Sequence, residues 1–199
     1  MADYPRAAQF WLDEPTMTLP DATDEDIKAP RVPGSPVSPS KKQMSKHQEL
    51  LKEFGYFAQS ARTAAALMEQ IVQRLHDTMT RYNWVGFYVV DKAKPGFLIL
   101  GPHVGSFAPL ESISLDRGLC GAAATTKKTV VVNNVAADPR YMAGSELVKS
   151  EIVVPVLMKG ALFGEIDINS YFANTFTPAD QEFVEACAAL VGSFLEKPR

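Results

Sequence analysis

The run from Ala161 to Ser170 carries Glu165, Asp167 and Asn169 in alternation with Ile166 and Ile168. Successive side chains on an extended strand point to opposite faces, so Phe163, Glu165, Asp167 and Asn169 share one face, and Leu162, Ile166 and Ile168 share the other. A row of acids on one side of a strand suits an ammonium group. In the stretch Asn83 to Val90, Trp84, Gly86 and Tyr88 likewise share a face; their flat rings would enclose an apolar or sulfur-bearing tail. The same pattern also fits a solvated sheet face with Trp84 in the core, because antiparallel sheets often leave one face wet. Cys120 stands in Gly118-Leu119-Cys120-Gly121 at the expected start of a short helix. There, backbone N–H groups and the helix dipole can lower a thiol pKa. A small, tightly packed and inert thiol is the competing reading.

Other chemistries have less support. The sequence has no GxxxxGK[ST] phosphate loop, no GxGxxG after a strand and no HExxH pair. The two cysteines, Cys120 and Cys187, have no companions at metal-ligand spacing, and His47, His76 and His103 are scattered. No metal and no cofactor is expected. Cys187 falls at helical spacing with Phe183, Val184, Leu190, Val191 and Phe194, as a buried apolar residue would. With 20 basic and 23 acidic side chains in 199 residues, the net charge of -3 gives no single-sign excess to attract nucleic acid or anionic lipid. No apolar run approaches the roughly 20 residues needed to cross a bilayer, and Met1 to Phe10 lack the apolar core of a secretory signal. A cytoplasmic protein with reduced thiols is the expectation.

These residues need elements to position them. Seven of the fourteen prolines precede residue 46, so residues 1–45 read as a disordered Pro/Ser-rich tail, in which Phe10, Trp11 and Leu12 read as solvated or loosely packed aromatics, with a short docking element as the alternative. From Ser45 an apolar stripe through Leu50, Phe54, Ala58, Ala65, Met68, Ile71, Val72 and Leu75 predicts a long helix, with Gly55 as its break or kink. Strands follow at 83–90 and 96–100, then at 110–115, with a short helix at 118–126 and another strand at 129–133. After a loop from Asn134 to Ser150, two apolar segments flank Lys159-Gly160, a strong hairpin signal. Thr177-Pro178-Ala179-Asp180 opens the last helix with a cap, a proline where its missing N–H costs nothing, and an acid at the positive end of the dipole. This order describes an α+β domain over residues 46–199. Its antiparallel central sheet has the long N- and C-terminal helices on one face and a loop-covered pocket on the other.

The motifs Asn83-Trp84-Val85-Gly86-Phe87-Tyr88, Leu100-Gly101-Pro102, Arg117 to Gly121, Ser150 to Pro155, Gly164 to Ser170 and Phe176 to Asp180, in that order, resemble the GAF domain family. More narrowly they resemble its free methionine-(R)-sulfoxide reductase branch, over about residues 46 to 196. The resemblance implies a central antiparallel sheet with helices on one face and a ligand pocket on the other. It also implies that Trp84, Tyr88, Glu151 and Asp167 bind a free amino acid such as methionine or its sulfoxide, with Asn169 where a second aspartate is usual. In that branch cysteines in the pocket loops reduce the sulfoxide and pass through an intramolecular disulfide. Cys120 matches one of them. The others fall near Pro109 or Leu110 and at Gly144, which replaces the thiol expected to attack.

Reduction with disulfide recycling needs an attacking and a resolving thiol, and this pocket would hold one thiol at most. The expectation is therefore a small-molecule binding or sensory module that has kept the pocket and lost the chemistry. The alternative is a reductase in which Cys120 attacks alone and an external thiol resolves it. A third reading is a scaffold that forms a homodimer through its long helices.

Overall fold

The computed structural model describes residues 44–142 and 144–198; the expected Pro/Ser-rich tail and its Phe10–Leu12 element lie outside them. Helix α1 (Lys46–Ser60) begins with a capping box in which Ser45 and Gln48 satisfy each other's backbone N–H. Helix α2 (Ala64–Thr78) is capped by the Thr63 hydroxyl. The break in the stripe thus falls at 61–63 and not at Gly55, which stays inside α1. Thr63 offers a cap that Gly55 lacks, and one solvated glycine costs a helix only about 1 kcal/mol.

Strands β1 (Trp84–Val90), β2 (Phe97–Gly105), β3 (Ser112–Ser114), β4 (Val130–Val132), β5 (Ser150–Met158) and β6 (Ala161–Ser170) form one sheet in the order β3-β2-β1-β6-β5-β4. Every pairing is antiparallel. β2 runs five residues beyond the expected strand, because His103 to Gly105 pair with Gly86 to Trp84. β3 is correspondingly shorter than 110–115 and pairs only with Phe97 to Ile99. The β5–β6 hairpin turns on Lys159 and Gly160, at φ 50° and 75°. Two successive positive φ values match the twist of the flanking strands.

α1, α2 and helix α4 (Pro178–Glu196) cover one face. There Leu50, Phe54, Ile71, Leu75, Val184 and Val191 pack with Val85, Phe87, Ile152, Val154, Ile166 and Ile168 of the strands. Cys187 is fully buried in this layer. Phe163 departs from the expected alternation. Gly164 pairs with Val156 while Leu162 pairs with Leu157, so Phe163 is the extra residue of a bulge and packs on the helical side. The other face is closed by helix α3 (Gly118–Thr126), a 3₁₀ turn at Val135–Ala137 and the loops around them. Among the described residues no helix is long and apolar enough to cross a membrane.

Candidate functional site

Trp84 and Tyr88 leave β1 on the face away from the long helices, and both are buried. The indole lies down along its own strand. A Cβ at Gly86 or at Gly105 would collide with it, so these two glycines are the seat of the ring. Phe107 stacks on its outer side at 5.4 Å. The Trp84 Nε1–H is buried and has no acceptor among the described residues, an unusual state for an indole donor.

The central strands supply the acids. Glu151 on β5 sits opposite Asn169 on β6, and Asp167 lies two residues before Asn169 on the same face. All three are buried. Asn169 Nδ2 donates to Asp167 Oδ1 at 2.8 Å, so this amide proton is used in orienting the carboxylate. α3 brings Cys120 over them, and its thiol approaches Asp167 Oδ2 at 3.8 Å. One ligating atom from each of Cys120, Glu151 and Asp167 lies within 4.8 Å of the other two. Its members come from three elements and share no spacing, so only the family resemblance, and no local pattern, put them in one pocket.

Burial sets the proton affinities. It pushes the Glu151 carboxyl well above the usual range, and the Asp167 and Glu165 charges push further. Burial likewise raises Asp167, while the Cys120 thiol and the Asn169 amide pull it part of the way back, to about 7. For Cys120, the sequence reading of a tightly packed thiol agrees with its burial, and the competing one of a lowered thiol pKa does not. Burial, then the charges of Glu165, Asp167 and Glu151, push the thiol well up. The α3 N-terminus contributes too little to oppose three nearby acids in a dry setting.

Trp84, Tyr88, Cys120, Glu151, Asp167 and Asn169 all line one partly enclosed cavity. About 60 Å³ of it is open to the centres of water-sized molecules, room for roughly five waters or one small amino acid. The Tyr88 hydroxyl is committed to the fold: it donates to the Leu110 carbonyl at 2.9 Å, so Tyr88 offers the cavity its ring. Pro109, Leu110 and Gly144 are in the wall as well. Sequence reasoning missed Phe107, Arg117, Tyr141 and Met142, which also line it; they lie on loops, where no periodicity marks an inward face.

The GAF domain profile matches residues 61–196, which spans all six strands and α4. The chain belongs to the GAF domain family. This GAF domain is 41% identical over 110 residues to a free methionine-R-sulfoxide reductase of Saccharomyces cerevisiae, a match spanning 55% of this chain and 61% of that protein. It is 36% identical over 135 residues to GAF domain-containing protein A of Dictyostelium discoideum, covering 68% of this chain and 78% of that one. Its fold superposes with a TM-score of 0.71 on the Neisseria meningitidis free methionine-R-sulfoxide reductase in complex with its substrate, at 30% identity, covering 75% of this chain and 88% of that one. The corresponding Staphylococcus aureus protein in its reduced form gives 0.70 at 29% identity, covering 76% and 96%.

Proposed function

We propose that this GAF domain binds free methionine-(R)-sulfoxide and reduces it with Cys120 as the one reacting thiol, an external thiol completing the cycle. The observation that carries the reading is the position of the Cys120 thiol in the cavity wall, 3.8 Å from Asp167 Oδ2 and beside Glu151. The names of the yeast and Neisseria relatives support the substrate class. Glu151 meets the ammonium of the amino acid. Trp84 and Phe107 flank the thioether chain, and the unpartnered indole N–H of Trp84 donates to an oxygen of the ligand.

The thiol is neutral at rest because burial and the surrounding acids disfavour the thiolate. As the sulfur attacks, Asp167 takes the thiol proton and returns it to the oxygen being transferred. The substrate S–O bond breaks and a Cys120 S–O bond forms, giving methionine and a sulfenic acid. One external thiol converts the sulfenic acid to a mixed disulfide with loss of water. A second displaces it, restoring Cys120 and leaving the reductant oxidised.

A second reading has its own observation. Pro109, Leu110 and Gly144 line the cavity without a thiol among them, which favours the binding module expected from the sequence. Incubation of the reduced full chain with methionine-(R)-sulfoxide and a dithiol, counting methionine released per chain, separates the two. Sustained release that disappears in Cys120→Ser supports reduction. Saturable binding with no release rejects reduction in favour of the binding module.

A further inference from the structure

In the proposed cycle a thiol from outside the chain must reduce the Cys120 sulfenic acid, and the fold restricts which thiol that is. The chain has two cysteines, and the second, Cys187, is fully buried in the helical layer on the far face of the sheet. No second thiol carries the oxidation from the cavity to the surface, so the reductant must reach Cys120 itself. That residue is only 5% exposed, in a partly enclosed cavity with about 60 Å³ open to the centres of water-sized molecules. A tripeptide thiol or the active-site face of a protein dithiol does not fit such a space. Charge narrows the choice further. Glu165, Asp167 and Glu151 all act on the Cys120 thiol as charges, and they repel an incoming thiolate unless it brings a cation of its own. In the same wall Arg117 is exposed and has no ion-pair partner among the described residues.

We propose that the external thiol is itself a free α-amino acid with a short thiol-bearing side chain, and that it enters the subsite methionine has just left. The inference rests on the reductase reading and names its second substrate. Glu151 meets the ammonium of this molecule as it meets that of the sulfoxide, and the unpaired charge of Arg117 receives the carboxylate. Homocysteine fits best. Its sulfur stands as many bonds from Cα as that of methionine, so the same two charged groups present its thiol where the sulfoxide sulfur was. Cysteine is one methylene shorter. As the incoming sulfur bonds to Cys120 Sγ, Asp167 takes the thiol proton and passes it to the leaving hydroxyl, which departs as water. The product is a mixed disulfide on Cys120. A second molecule of the thiol attacks that disulfide, its proton going to Cys120, and the symmetrical disulfide of the amino acid is released. Two thiols are thus oxidised for each sulfoxide reduced.

The test is steady-state turnover of the reduced full chain on methionine-(R)-sulfoxide with homocysteine, cysteine, 2-mercaptoethanol, glutathione or dithiothreitol, compared at equal thiolate concentration. Homocysteine, followed by cysteine, is expected to give a kcat/KM about tenfold or more above that of 2-mercaptoethanol, which is small but lacks the amino-acid groups, and above that of glutathione, which is too large. The two substrates share one subsite on two forms of the protein. The kinetics should therefore be ping-pong, with high homocysteine inhibiting competitively against the sulfoxide. Arg117→Gln, a change at an exposed side chain, should raise KM for homocysteine and narrow its advantage over 2-mercaptoethanol by about tenfold. Turnover with dithiothreitol but no advantage of homocysteine over 2-mercaptoethanol or glutathione overturns the proposal and leaves the reduction standing. An advantage that survives Arg117→Gln in full overturns the carboxylate contact. No turnover with any of the thiols rejects the reduction itself, and the proposal with it.

Discussion

Replacing Asp167 by Asn should make the ligand-free protein more stable, and by an amount that depends on pH. The Asp167 carboxyl titrates at about 7 instead of near 3.8, chiefly because it is buried. At about 1.4 kcal/mol per pH unit, holding it in the folded protein at pH 8 costs about 4 kcal/mol relative to the solvated, ionised carboxylate of the unfolded chain. The sign follows from the raised value. The stability linked to this group is fully present below pH 3.8 and is lost as pH rises through 7. Asparagine keeps the shape and can still accept from Asn169 Nδ2, while its own amide nitrogen replaces the oxygen that faces the Cys120 thiol. The expected gain is about 4 kcal/mol at pH 8 and about half of that at pH 5. At roughly 2–4 °C per kcal/mol for a chain of this size, the pH 8 value corresponds to about 8–16 °C in Tm. Urea unfolding of both proteins at the two pH values measures it. A variant that is destabilised at pH 8, or equally stabilised at both, refutes the reasoning that Asp167 is held in the fold against its own ionisation. The same variant should bind the amino acid more weakly, since the strain removed is what a ligand cation would otherwise relieve.

Gly144→Cys should fold without penalty, because its φ lies outside the left-handed region and the added Cβ would meet only Phe107 Cε2, at 3.6 Å. Stability should change by less than about 1 kcal/mol. With a second thiol in the wall, methionine release should rise about tenfold or more; an unchanged rate would count against Gly144 as the position where reductase chemistry was lost. Trp84→Phe keeps the stack on Phe107 but removes the unpartnered indole N–H. Calorimetry should show affinity for methionine-(R)-sulfoxide falling about 3–10-fold, the worth of one neutral hydrogen bond. Asp180 sits at the junction of α4, α1 and the loop between α2 and β1. Although burial alone would raise its pKa, the Thr177 hydroxyl and N–H, the Tyr82 hydroxyl and His47 together hold it below the usual range. Its contribution is therefore present above about pH 4 and lost on acidification. Asp180→Asn should cost about 1 kcal/mol at pH 7 through the weakened capping box and should flatten the acid limb of a Tm–pH curve.

Local rules were enough wherever a feature depends on near neighbours in the chain. The alternation of Glu165, Asp167 and Asn169 with Ile166 and Ile168 placed the acids on one face and the aliphatics on the other, because side-chain period in a strand is a property of the backbone. Lys159-Gly160 made the hairpin, and Thr177-Pro178 opened α4, for equally local reasons. The ordered motifs pointed to the GAF fold that the sheet order and the relatives show. Tertiary structure decided what depends on residues distant in sequence. The alternation could not distinguish a wet face from a buried one; α3 and the 134–150 loop, packed over the sheet, made it buried. The extra residue of the β5–β6 pairing turned Phe163 to the helical side, which no pattern within β6 reveals. Cys120 sits at a helix N-terminus as expected, yet its thiol pKa is raised, because desolvation and the acids of β5 and β6 outweigh the local dipole. Proton affinity sums over everything within a few ångströms of an atom. In this cavity those neighbours come from α3, β5 and β6, which only the folded chain brings together.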